Sequence, residues 1–207
     1  MKKINWWKPD FSNNKSSSLK KVLLSNFINE GKYTQKFENE ISKLLNVRFC
    51  SLTTSGTIAI FLALRSLGIG KDDEVLVPNF TFIATANAVR LCGAKPVFVD
   101  IDETNLGIDS KKIEIKISKK TKAIIIVHVS GRSANLNKII SISKKYNLKI
   151  VEDAAEALYS KYDKNCFLGT LGDVGCFSLS PNKIISTGQG GIIITNKKNI
   201  YENIKKL

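Results

Sequence analysis

The sequence predicts an α/β fold, a three-layer sandwich in which helices cover both faces of a mostly parallel central sheet. Between residues 48 and 196, short β-branched runs alternate with helix-like segments, the pattern of strands joined by helical crossovers. Runs such as "KAIIIVHVS" and "GGIIITN" are apolar almost throughout, as strands buried on both faces are. A chain of 207 residues with 43% hydrophobic and 24% charged residues can also enclose one sizeable core.

Residues 1–47 differ from the rest. "NNKSSS" reads as a polar loop, and "YTQKFENEISKLLN" as an amphipathic helix with Phe37, Ile41, Leu44 and Leu45 on one stripe. Together they form an N-terminal arm expected to pack on the domain of residues 48–207. In that domain "RFCSLTT" is a strand, and "SGTIAIFLALRSLGIG" a helix closed by Gly68 or Gly70. "DEVLVP" is a strand halted by Pro78, and "TFIATANAVRLCG" the following helix. "KPVFVDID", "KAIIIVHVS", "LKIVEDAA", "GCFSLS" and "GGIIITN" supply the remaining strands. The final "NKKNIYENIKKL" starts a helix at the candidate cap Asn196, with Ile200, Ile204 and Leu207 on one face. It stops without a C-terminal glycine, so the chain reads as cut.

No uninterrupted apolar run is long enough to span a bilayer, and "MKKINWWKPDF" lacks the apolar stretch of a secretory signal. The expected location is the cytoplasm, with no membrane partner. The formal net charge of +14 comes mainly from scattered lysines, with no basic run interleaved with aromatics for base stacking. It reads as a solvated surface that attracts anionic substrates, rather than a nucleic-acid interface. Cys50, Cys92, Cys166 and Cys176 form no Cys-x-x-Cys pair, and His128 is the single histidine. They read as buried or half-buried thiols in a reducing compartment, with no metal site.

Ligands of open parallel sheets bind beyond the carboxyl ends of the strands. Four junctions there carry useful side chains. Ser55-Gly56-Thr57 opens a helix whose free N–H groups suit a phosphate, although a serine there is also an ordinary N-cap. "VEDAAEA" puts Glu152, Asp153 and Glu156 after a buried strand, where a carboxylate needs a cation or serves as a cap. "PNFTF" brings Phe82 to the same edge, as a ring platform or as core. "SPNKIISTGQGG" puts Ser178 just upstream and Lys183 within it, ahead of a glycine turn. A lysine held at the end of a core strand is expected to be more nucleophilic than its hydrated counterparts.

The order SGT, "VPNFTFIATANAV", "GAKPVFVDID", "VEDAAEA" and "GDVGCFSLSPNKIISTGQGG" resembles the DegT/DnrJ/EryC1/StrS nucleotide-sugar aminotransferases. These pyridoxal 5'-phosphate enzymes have the aspartate aminotransferase fold (fold type I). The likeness runs from about Trp6 to Asn196 and includes "EGKYTQKFE". It implies that Lys183 bonds the cofactor aldehyde and that Asp153 pairs with the protonated ring nitrogen. It also implies that Phe82 stacks on the ring, that Gly56, Thr57 and Ser178 bind the phosphate, and that Glu156 lies beside the ring hydroxyl. Glu156 replaces a frequent glutamine, as in a perosamine-synthase-like subgroup, and Gln189 replaces a frequent glutamate. A dehydrating branch has histidine in place of Lys183, so the lysine points to amination.

The resemblance further implies glutamate as amino donor, a nucleotide-linked keto sugar as acceptor, a homodimer, and a smaller C-terminal domain absent from this sequence. Two other classes remain open at this point. One is a non-catalytic remnant of such an enzyme, which would develop no visible absorbance with pyridoxal phosphate. The other is a basic nucleic-acid binder, whose affinity would fall steeply with salt.

Overall fold

The computed structural model of the chain describes residues 16–164 and 166–207. Trp6 and residues 13–15 of the "NNKSSS" segment lie outside them. A seven-stranded sheet is built from β1 (Phe49–Thr53), β2 (Glu74–Pro78), β3 (Lys95–Val99), β4 (Thr121–Val127), β5 (Lys149–Asp153), β6 (Val174–Ser178) and β7 (Gly191–Thr195). The strand order is β1-β7-β6-β5-β4-β2-β3. The neighbours from β3 through β2, β4 and β5 to β6 run parallel, and β7 runs antiparallel to both β6 and β1. The sheet is therefore mostly parallel, with one reversed strand.

Strand alternation sends successive side chains to two separate cores. On one face, Val75, Val77, Ile125, Val151, Cys176 and Ile193 pack under α3 (Gly56–Ser66), α4 (Ile83–Leu91) and α6 (Lys198–Lys206). On the other, Leu76, Ile124, Ile126, Ile150, Phe177 and Ile194 pack under α2 (Lys32–Leu45) and α5 (Leu136–Tyr146). These are the three layers that the apolar strands anticipated.

Several local expectations are corrected. The serines of "NNKSSS" open a helix, α1 (Ser16–Leu24), rather than continuing a loop. Leu19, Leu23 and Leu24 of α1 are exposed, whereas Ile41 and Leu45 of α2 are buried in the core. Leu44, at the edge of that stripe, and Leu207, the C-cap at the end of α6, are both exposed. Asn196 does not cap α6; its Oδ1 accepts from Arg48 N at 2.9 Å, and the cap position falls to Lys197. Cys50, Cys92 and Cys176 are buried and Cys166 is half-buried. Burial pushes the Cys50 thiol up to about 12 and the Cys92 thiol to about 11, so both stay protonated and pack as small apolar groups.

Candidate active site

The carboxyl ends of β2, β4, β5 and β6 and the start of α3 surround a cavity of about 650 Å³. Gly56, Thr57, Phe82, Asp153, Glu156, Ser178 and Lys183 all line it, together with Ser55, Thr81, His128, Ser180 and Gln189.

Two close approaches build the wall at the start of α3. A Cβ on Gly56 would come within 2.9 Å of Ser178 Cβ, so glycine lets the helix start abut the end of β6. A Cβ on Gly191 would meet Ser55 O at 2.3 Å, so β7 passes directly beneath that start. Ser55 is an ordinary N-cap, its Oγ accepting from Ile58 N at 3.2 Å. Gly56 and Thr57 then contribute the first backbone N–H groups of α3 beside the Ser178 hydroxyl. Free amides at a helix start next to a hydroxyl suit a phosphate. Ser178 Oγ also lies 3.0 Å from Ser180 Oγ.

Asp153 ends β5 and is buried. Thr85 Oγ1 donates to its Oδ2 at 2.7 Å and Ala155 N to its Oδ1 at 3.2 Å. Burial pushes the Asp153 carboxyl above its ordinary value, against the pull of those donors and of His128 and Lys183. A cation entering the cavity would offset that desolvation.

Phe82 stands at the N-cap of α4 with 77% of its surface exposed, so it is no core residue but a free ring at the cavity wall. Lys183 lies in the turn beyond β6 rather than on the strand itself. Its Nζ donates to Glu156 Oε1 at 3.2 Å, and Ser130 N donates to Glu156 Oε2 at 3.0 Å. Glu156 thereby ties the turn after β4 to the turn after β6.

Glu152 and Asp153 are sequence neighbours, and strand alternation turns them to opposite faces. Glu152 is fully buried, where it accepts from Gly169 N (2.9 Å), Leu171 N (2.7 Å) and Gly172 N (2.5 Å). With both oxygens already accepting from backbone, the fourth bond at 2.8 Å comes from His128 Nε2 as donor. Glu152 thus fastens the 169–172 loop to the sheet and does not line the cavity. His128 and Thr85 are site components that the motifs did not single out. Their available signals were a lone histidine closing an apolar strand and threonines spaced i, i+4 in "TFIAT".

The donor set fits pyridoxal phosphate: amides and a hydroxyl for an anionic phosphate, a buried carboxylate for a ring cation, an exposed ring for stacking, and a primary amine for an aldehyde. The close approach at Gly56 leaves the cradle open where a side chain would fill it.

Comparison with known proteins agrees in kind. The sequence profile of the DegT/DnrJ/EryC1/StrS aminotransferase family matches residues 9–207. The chain is 41% identical over 203 residues to GDP-perosamine synthase of Escherichia coli O157:H7, covering 98% of this chain and 56% of that enzyme. Its fold superposes with a TM-score of 0.92 on an aminotransferase from Psychrobacter cryohalolentis, at 33% identity, covering 96% of this chain and 51% of the other. NtdA from Bacillus subtilis, solved with bound cofactor PMP, superposes at 0.85 with 31% identity, covering 98% of this chain and 48% of the other. The chain spans about half the length of the relatives it matches.

Proposed function

Because the chain belongs to the DegT/DnrJ/EryC1/StrS aminotransferase family, we propose that it binds pyridoxal phosphate in this cavity. There it serves transfer of an amino group from glutamate to the keto group of a nucleotide-linked deoxy sugar. The observation that carries the reading is the convergence of a lysine, a buried carboxylate, an exposed ring and a helix start on one cavity. Residues 48–207 are proposed as the cofactor-binding unit and residues 1–47 as its arm.

When bound, the cofactor supplies an aldehyde for amine exchange and a ring that withdraws electrons. The chain's own residues act around it. Gly56 and Thr57 amides with the Ser178 hydroxyl hold the phosphate, and Asp153 holds the ring-nitrogen proton. Phe82 covers one ring face and excludes water. Glu156 keeps Lys183 Nζ inside the cavity at 3.2 Å, positioned to give and take the proton that moves during transfer. Phe80, Phe82, Ile83 and Ile184 are exposed apolar groups. Phe80 and Phe82 line the cavity, and exposed apolar groups at its mouth favour cover by a second copy, which supports the homodimer as part of the proposal.

The test is to incubate the chain with pyridoxal phosphate, glutamate and a panel of nucleotide-linked keto sugars. Glutamate is expected to bleach the visible band, and a keto sugar to restore it with appearance of an amino sugar in the mass spectrum. A band that forms but does not respond to glutamate would contradict the proposed chemistry.

A further inference from the structure

Thr85 is fully buried in α4. Threonines inside helices commonly turn back to a carbonyl of the preceding turn. This hydroxyl instead crosses to another element and donates to Asp153 Oδ2 at 2.7 Å, joining residues 68 positions apart. Thr81 Oγ1, on the cavity wall, lies 2.7 Å from Thr85 Oγ1. A hydroxyl has one proton, and that of Thr85 is committed to the carboxylate, so Thr85 accepts from Thr81. The result is a directed chain from Thr81 through Thr85 to Asp153. Among the described residues the other bond to the carboxylate is the longer 3.2 Å donation from Ala155 N.

We propose that Thr85, oriented by Thr81, is a positioning residue for Asp153: its hydroxyl fixes the carboxylate in one orientation and stabilises its charge for a cation in the cavity. The identity of that cation as a cofactor ring nitrogen rests on the functional reading above, whereas the positioning does not. Among the influences that offset the burial of Asp153, the Thr85 bond is the largest, ahead of Ala155 N, His128 and Lys183. The remaining charged or titratable groups around it are Cys176 on β6, Glu152 turned to the other face, and Glu156 on the cavity wall. None of them donates a hydrogen bond to Oδ2 among the described residues. A valine in place of Thr85 would fill the same space and leave that oxygen without its donor.

The experiment follows the Asp153 carboxyl carbon by NMR across a pH series, in the chain without cofactor, for wild type, T85V, T85S and T81V. T85V is expected to move the Asp153 titration to higher pH, T85S to return it, and T81V to move it less in the same direction. With pyridoxal phosphate added, the dissociation constant of T85V is expected to rise about tenfold, the loss of one charge-assisted hydrogen bond, and T85S to restore it. An Asp153 titration unmoved in T85V overturns the proposal. Should T85V fail to fold, an unmoved titration in T81V overturns it instead. If the titration moves as expected while wild type takes up no pyridoxal phosphate, the positioning stands and the functional reading fails.

Discussion

Replacing Lys183 by alanine is expected to abolish the visible band that pyridoxal phosphate develops with the chain, and to let the cofactor leave on dialysis. The chain should melt within a few degrees of wild type. The lysine side chain is only 16% exposed and ends inside the cavity, whereas Lys95, Lys112, Lys145, Lys197 and Lys198 are 50–73% exposed. Those amines are exposed and lie outside the cavity, away from the α3 start, Phe82 and Asp153, which are proposed to add to the weak attraction of an amine for an aldehyde. The removed amine takes with it one ion pair, to a carboxylate that is 44% exposed. Such a pair contributes about 0–1 kcal/mol, too little to unfold the domain. Absorbance after dialysis, with a melting curve for each chain, checks both halves. A Lys183→Ala chain that keeps the band would assign the chemistry to another amine.

Asp153→Asn is expected to separate binding from stability. Asparagine keeps the shape and can still accept from Thr85, but it cannot offset the charge of a protonated ring nitrogen. Loss of a hydrogen bond between charged partners costs about 1.5–3 kcal/mol, which is roughly a 10- to 100-fold weaker cofactor complex. Without cofactor the sign reverses, because burial disfavours the Asp153 charge and a neutral amide avoids that cost. The variant should therefore melt no lower than wild type when both are cofactor-free, and gain less when pyridoxal phosphate is added. Paired melting curves with and without cofactor measure this. An equal gain in the two chains would mean that Asp153 does not hold the ring.

The parts of the fold that were legible in the sequence are those governed by burial. Strands β4 and β7 read directly from "AIIIV" and "GIIIT", since a strand covered on both faces carries a nearly continuous apolar run. The direction of β7 was not legible, because an apolar run reads the same either way. It is set by the pairing of Ser178 with Gly191, where the chain turns back through "SPNKIISTGQGG" without a crossover helix. Leu44 and Leu207 share the spacing of their stripes yet stay exposed, because a position at a helix end is covered only where another element packs on it. Asn196 has the composition of a cap, yet its side chain meets Arg48 from the far end of the sequence.

The candidate site divides along the same line. Gly56, Asp153, Ser178 and Lys183 sit at or just beyond element boundaries, so the rule that strand ends carry ligands finds them from local pattern. Thr85 and the His128–Glu152 pair act through bonds between elements, and no spacing along the chain encodes those. Glu156 was legible as a carboxylate following a buried strand, but its grip on Lys183 and Ser130 N appears only once β4, β5 and β6 stand side by side.

The central claim is that one lysine in this lysine-rich chain is built to carry the cofactor. Its most direct test is to add pyridoxal phosphate at about one equivalent, reduce with borohydride, digest the chain and locate the label by mass spectrometry. The account predicts a single dominant label, on Lys183 in the peptide containing "SPNKIISTGQGG". A label spread over the exposed lysines, with Lys183 no more modified than Lys95 or Lys198, would contradict it.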